Sequence, residues 1–432
     1  MLERIATPPR ILLFGWSLFV VYAYPGFMSY DSIVQLTQAR KLEPIGDWHP
    51  PMMAELWRLT DHVIAGPFPM LVIQSSTFLV GVYSLFGRVM KPRAAAITAC
   101  CVLVFPPILA PMAVIWKDSQ MAGFLVAGIA ALLSDRRRWR IAGWFLLGAS
   151  TAMRYNAAAA TLPIIGLLAF RDVAPTWKRA VFAGAAWIAV TLAALGANRV
   201  ATQREEHVFQ SSLALSDIAG TLRWDKQLDS DQILADYGDL PWTSTDNLRS
   251  RVRAAYSPAN TFLELTAGPH QLFTMPMTDR QLAAVSSAWL DLVIHHPRAY
   301  VHYRSDIFRT LLAVRGSHDG GIWEGFTGAD WSETSLQHRA RHSEAQRVWL
   351  DVVEKLGPTW LFRPWIYLAI AIAFLVLARR DLEPFAILAS GVLNELALFV
   401  ATPSTDTRYS HWLMIGTVVG GVMLFVLRKR RI

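Results

Sequence analysis

The sequence predicts an all-α polytopic membrane protein with about ten transmembrane helices and a large loop domain on the outer, non-cytoplasmic face. Three observations carry this. Of the 432 residues, 53% are hydrophobic and only 17% are charged, where soluble domains carry about a quarter charged, and the mean hydropathy is +0.31. The apolar residues come in blocks rather than in a 3.6-residue rhythm, and several blocks reach the roughly 20 residues that a bilayer core needs. Finally, the Lys and Arg residues behind the net charge of +8 sit in short clusters between those blocks. Cytoplasmic loops orient membrane proteins in that way, and the distribution excludes nucleic acid as the partner of the basic charge.

The spans follow in order. The first covers about 11–28 and, lacking a small-residue cleavage site, reads as an uncleaved helix rather than a signal peptide. The second covers about 68–90 and ends at Arg88, Lys91 and Arg93. The third, about 94–115, carries Pro106, Pro107 and Pro111 in its second half. Each proline removes a backbone donor, so a kink or break is expected there. The fourth starts near Ser119 and ends at the cluster Asp135-Arg136-Arg137-Arg138-Trp139-Arg140. The block 141–170 has Arg154-Tyr155-Asn156 at its middle. One straight helix would bury that arginine at mid-membrane, which is expensive. Two short helices meeting at Arg154 keep both flanking basic clusters on one side. Further spans are expected at about 180–197, 362–378 and 384–401, with a last one leading to Arg428-Lys429-Arg430-Arg431. With this count both termini are cytoplasmic, and the dense basic clusters all fall on the cytoplasmic face of a multi-pass inner or plasma membrane protein.

Three segments result: an N-terminal transmembrane module, 1–197, with an outer loop at 29–67; a large outer loop domain, 198–361; and a C-terminal transmembrane module, 362–432. The loop domain holds no cysteine, so no disulfide staples it. It reads as mixed helix and turn, and 286–310 reads as helical and amphipathic, of the kind that lies along a membrane surface. The only two cysteines, Cys100 and Cys101, are neighbours in an apolar block and read as packing residues.

Every outer turn carries an ionisable residue near a membrane boundary. In the first, Asp31, Gln35 and Gln38 recur at i, i+4 and i+7 and share a helix face. Further along, His49-Pro50-Pro51 fits the start of a helix, whose N-terminus favours anions. The next turn is Trp116-Lys117-Asp118, where Lys117 reads as snorkelling beside an N-cap aspartate. Then come Arg154-Tyr155-Asn156 and, near the C-terminus, Asp406-Thr407-Arg408-Tyr409. Together they offer one base, Asp31, and four cationic or potentially cationic groups, His49, Lys117, Arg154 and Arg408. A sugar leaving from a lipid phosphate needs positive charge around the departing oxyanion. Phosphate leaves without protonation, so one carboxylate suffices to take the proton from an acceptor hydroxyl. A glycoside hydrolase, by contrast, uses two paired carboxylates.

At these residues the sequence resembles the GT-C class of integral-membrane glycosyltransferases, which use polyprenyl-phosphate-linked sugar donors. The resemblance covers Tyr30-Asp31-Ser32 after the first span, His49-Pro50 in the same loop, Lys117-Asp118 at the start of a span and the hairpin turning at Arg154-Tyr155-Asn156. His296-Pro297 to Tyr300 and the Arg408-Tyr409 step are similar to a bacterial branch of the class. The resemblance implies that Asp31 is the acceptor base. Gln35, His49, Lys117, Asp118, Arg154, Asn156, Asp406, Arg408 and Tyr409 would bind substrate or orient the groups that do. The donor would be a polyprenyl-phosphate sugar, and the acceptor a glycan, lipid or protein. Many members carry a paired acidic motif after the first span, and some use a divalent metal there. This chain has a single acid with Ser32 beside it, which argues against metal dependence, and no cofactor is implied.

His338 and His342 stand at i, i+4, but no third ligand follows at metal spacing, and Asp319-Gly320-Gly321 reads as a turn. The sequence contains no P-loop, dinucleotide fingerprint or Gly-x-Ser-x-Gly elbow, which argues against a nucleotide-driven pump or a serine hydrolase. Two other functions use the same cations. One is a transporter or flippase of a lipid-linked or anionic substrate, in which Glu395 would be central. The other is an oligosaccharide polymerase or ligase with a diphosphate-linked donor.

Overall fold

The computed structural model describes residues 7–171, 176–258, 261–314, 343–402 and 404–431. About three-quarters of the described residues are helical and none of them forms a strand, so the all-α class holds. In chain order the helices are α1 (Pro8–Ala23), α2 (Tyr30–Ala39), α3 (Pro51–Asp61), α4 (Phe68–Gly87), α5 (Pro92–Leu103), α6 (Pro106–Ala113), α7 (Lys117–Leu132), α8 (Arg137–Met153), α9 (Ala157–Phe170) and α10 (Trp177–Ala201). They continue with α11 (Leu215–Trp224), α12 (Ser230–Tyr237), α13 (Leu248–Ala255), α14 (Thr261–Thr266), α15 (Asp279–His295) and α16 (Pro297–Leu311). The last four are α17 (Glu344–Leu356), α18 (Pro364–Ala378), α19 (Leu382–Ala401) and α20 (His411–Lys429).

Among these residues four helical stretches are long and apolar enough to cross a membrane: α4, α10, α19, and α20 together with its short leading turn. A fifth is reached if α5 and α6, bent by 68° at their break, count as one span. This is fewer than the ten expected. The difference lies in helix length, since α1, α7, α8, α9 and α18 have 16, 16, 17, 14 and 15 residues. Prolines set several of the breaks. Pro106 and Pro107 open α6, and α1 stops one residue before Tyr24-Pro25. The break at Arg154 is also present, with α8 ending at Met153 and α9 beginning at Ala157. The single amphipathic stretch expected at 286–310 is instead two helices. Pro297 cannot donate to the preceding turn, so α15 stops at His295 and α16 starts afresh.

The chain divides into two compact units. The first comprises Met1–Arg204, His318–Glu395 and Thr407–Ile432, and the second comprises Glu205–Ser317 and Leu396–Asp406. In the first unit α4, α7 and α8 pack closely through glycines. A Cβ on Gly123 would lie 2.6 Å from Thr77 Oγ1 and 2.7 Å from the Gln74 carbonyl, so only glycine permits the observed approach of α7 to α4. The amphipathic helix α17 buries Leu350 and Val353 in the same core, and the Gln346 amide donates to the Tyr22 carbonyl at 3.0 Å.

The second unit has its own core, built on Leu215, Ile218, Leu222, Leu272, Phe273 and Leu292. Its centre is a buried ion pair. Arg304 Nη2 lies 2.5 Å from Asp217 Oδ1, the Trp289 indole donates to Asp217 Oδ2 at 2.7 Å, and Arg304 Nη1 donates to the Thr402 carbonyl at 2.7 Å. The last contact fastens the 396–406 stretch to α16 within this unit. Breaking such a pair strands a buried charge, which typically costs about 3–5 kcal/mol. Beside it the ring of Tyr303 packs on Gly220, where a Cβ would meet ring carbon Cδ2 at 1.9 Å. Gly220→Ala is therefore expected to destabilise this unit by at least about 1–3 kcal/mol. Thermal unfolding in detergent, with limited proteolysis of 205–317, would reveal it as a lowered midpoint and earlier cleavage.

Candidate functional site

The first unit assembles the site from backbone that could not stay helical. Pro111 brings α6 to an end at Ala113, and residues 114–116 run extended before α7 starts. Exposed carbonyls in an apolar surrounding need partners. Gln74 of α4 supplies them, donating from Nε2 to Met112 O at 2.7 Å and Val114 O at 2.9 Å, and Gln120 braces Gln74 by donating to its Oε1 at 2.9 Å. On the other side the turn after α1 zips onto the same stretch. Phe27 N donates to Ala113 O and Ile115 N donates to Phe27 O, both at 2.9 Å.

Helix α2, which carries Asp31, is anchored to this stretch by its cap. Ser29 and Ser32 form a reciprocal capping box. Ser32 Oγ also donates to the Ile115 carbonyl at 2.8 Å, and the Trp116 indole donates to Ser29 Oγ at 2.7 Å. Asp31 and Lys117 are thereby held on two segments that share hydrogen bonds. Neither Gln74 nor the Ser29 cap stood out in the sequence. Ser29-x-x-Ser32 is a weak capping signal, and an isolated glutamine in an apolar block carries no sign of its partner.

Arg408 Nη2 lies 2.8 Å from Asp31 Oδ2. The Arg408 guanidinium carbon lies over two rings, 4.7 Å from the centroid of Trp116 and 5.4 Å from that of Tyr409. Asp31 Oδ1 faces His49 Nε2 at 3.8 Å, and Lys117 Nζ donates to His49 Nδ1 at 2.7 Å. The far side of Tyr409 is covered by Arg154, 4.5 Å from the ring centroid. Arg154 Nη1 in turn lies 3.0 Å from the Asp118 carboxylate, and its Nε donates to Asn156 Oδ1 at 3.1 Å. Two Arg–Asp pairs thus flank one tyrosine. The Asp31 side chain is 20% exposed, whereas that of Asp118 is only 3% exposed, so Asp31 is the carboxylate that a ligand can reach.

Eight of the ten expected residues therefore meet directly: Asp31, His49, Lys117, Asp118, Arg154, Asn156, Arg408 and Tyr409. Gln35 lies near them but its amide donates to the backbone carbonyl of Asp31 at 3.2 Å, one helical turn back, and not to the carboxylate. Asp406 falls in the second compact unit, across the division at 406/407. Asp118 is not an N-cap, since Trp116 holds that position in α7, and its carboxylate is engaged by Arg154. His338, His342 and Asp319-Gly320-Gly321 lie outside the described residues. Among the described residues no group of three or more His, Cys, Asp or Glu side chains could hold a metal ion. The GT-C-like residues His296 and Tyr300 belong to the second unit, where His296 Nδ1 pairs with Asp225 Oδ2 at 2.6 Å.

The electrostatics correct one expectation. His49 is not one of the cations. Burial, reinforced by the positive charge of Lys117, pushes its imidazole down to about 3. With Nδ1 accepting from Lys117, the ring proton sits on Nε2 and points toward Asp31. Asp31 is shifted the other way. Burial alone would raise its carboxyl, but the charges of Arg408 and Lys117 hold it well below the usual carboxylate range.

Comparison with protein-family models, with curated proteins and with solved structures finds no match to this chain.

The neutral histidine has a consequence for acid stability. Unfolded, His49 takes up a proton below about 6.5, whereas folded it resists down to about 3. Between those values the unfolded state binds more protons, so stability falls as pH falls through the window. In His49→Gln the decline in unfolding midpoint from pH 6.5 to pH 4 is expected to be shallower than in the wild type, measured by thermal unfolding in detergent.

Proposed function

We propose that the protein is a membrane glycosyltransferase that moves a sugar from a polyprenyl-phosphate donor to an acceptor hydroxyl at the non-cytoplasmic face. The observation that carries this reading is the grouping of one reachable carboxylate, Asp31, with three fixed cations, Lys117, Arg154 and Arg408, where apolar helices begin or end. Positive charge around a departing phosphate stabilises the transition state of glycosyl transfer. The acceptor hydroxyl loses its proton to Asp31 as its oxygen attacks the anomeric carbon. The bond from that carbon to the phosphate oxygen breaks, and the electron pair stays with the lipid phosphate. Arg408 and Lys117 receive that charge directly, and Arg154 adds to the field from behind Tyr409. His49, being neutral, acts as a spacer between Lys117 and Asp31. In the full arrangement the chain crosses the membrane about ten times, the shorter apolar helices among the spans, with both termini cytoplasmic in a GT-C-like architecture. The acceptor is a glycan, lipid or protein.

A second reading has one observation in its favour. Glu395 is fully buried in α19, its Oε1 accepts from Ser410 at 2.7 Å, and Oε2 has no hydrogen-bond partner among the described residues. An acid inside an apolar helix is a candidate for ion or proton coupling, as a transporter or flippase of a lipid-linked or anionic substrate would require.

The two readings separate in one assay. Purified protein is incubated with a panel of polyprenyl-phosphate sugars and acceptors, and release of free polyprenyl phosphate is followed. Transfer is expected in the wild type, with a loss of at least about 10²-fold in Asp31→Asn and little change in Glu395→Gln. Unimpaired turnover by Asp31→Asn would defeat the assignment, and the absence of turnover with every donor would favour transport.

A further inference from the structure

The carboxylate that should act as base is occupied by the cation that should hold the leaving group. Asp31 Oδ2 sits 2.8 Å from Arg408 Nη2, while Oδ1 faces the His49 Nε2–H with Lys117 directly behind it. A phosphate ester would present its oxygens to the same donors. The Arg408 guanidinium lies over the rings of Trp116 and Tyr409, and the edge that carries Nη2 is turned to Asp31. Trp116 is itself held by its hydrogen bond to Ser29, the cap of the helix that carries Asp31. The guanidinium is therefore braced in place, and an incoming anion must take that edge from Asp31.

We infer that Asp31 is the resident anion of a phosphate-ester site formed by Arg408 and Lys117, and that a phosphate ester binds there by displacing the Asp31 carboxylate. The identity of the ester as a polyprenyl phosphate rests on the proposed function, whereas the competition rests on the geometry alone. Two properties follow. Removing the Asp31 charge frees the site, so phosphate affinity rises in a variant that has lost its base. In the wild type the donor enters before Asp31 can accept a proton, because a carboxylate held by Arg408 is too weak a base. Acceptor activation is then conditional on the donor phosphate being seated, which disfavours acceptor deprotonation at an empty site.

The test measures binding, not turnover. Purified full-length protein in detergent is titrated separately with polyprenyl phosphate, inorganic phosphate and phosphatidylglycerol, so that a lipid-linked ester, the free anion and a bulk anionic headgroup are told apart. Asp31→Asn is expected to bind the preferred ligand about 5- to 150-fold more tightly than the wild type, the usual range for coupling between two competing interactions. Arg408→Gln is expected to bind it more weakly. Asp31→Ala, with unfolding midpoint and elution profile as folding checks, serves if the asparagine variant does not fold. Equal or weaker binding by both folded Asp31 variants overturns the inference, and so does the absence of wild-type binding in all three arms, which also counts against a lipid-phosphate substrate. Tighter binding by the variants without sugar transfer by the wild type upholds the inference and counts against the transferase.

Discussion

The ion pair between Asp31 and Arg408 joins the first polar turn of the chain to the last, and the rest of the first unit is arranged around it. Ion pairs of this kind are costly to desolvate and are stable only where their remaining valences are met. Here the pair lies against two aromatic rings, with a neutral histidine and a lysine close by. The pair is also only partly buried. A fully enclosed pair, such as Asp217–Arg304 in the second unit, can hold a fold together but cannot exchange partners with a ligand. Asp31 retains enough exposure to do both.

Irregular backbone inside an apolar protein is tolerated only where its polar groups are satisfied. The interruption after α6 shows how this chain meets that condition. The helix ends, Gln74 from α4 takes two of the stranded carbonyls, and the turn after α1 pairs with Ala113 and Ile115. The interruption also places Lys117 beside the start of α2. The same logic applies at Arg154, where the break between α8 and α9 frees a side chain that Asp118 and Asn156 then hold. Breaks in apolar helices thus deliver the charged groups, and hydrogen bonds from intact helices steady them.

Much of this could be read in the sequence because it follows from local chemistry. The prolines of 106–111 announce a break, and an arginine in the middle of 141–170 is too expensive for an unbroken helix. Placing polar turns on one side of the membrane then brings Asp31, Lys117, Arg154 and Arg408 into a common region. What the sequence could not convey depends on contacts between distant segments. The neutral state of His49 depends on its burial and on Lys117 at 2.7 Å, and Arg408 as the partner of Asp31 requires the fold itself. Helix length is the other limit. Hydropathy merges α1 with the apolar turn that follows it, so this helix looks longer in sequence than it is.

The pairing of Asp31 with Arg408 is tested most directly by a double-mutant cycle on stability. Unfolding free energies of the wild type, Asp31→Asn, Arg408→Gln and the double variant are compared in detergent. A coupling of about 0.5–3 kcal/mol is expected for residues in direct contact. Additive effects, with coupling indistinguishable from zero, would contradict the pair and with it the construction of the site.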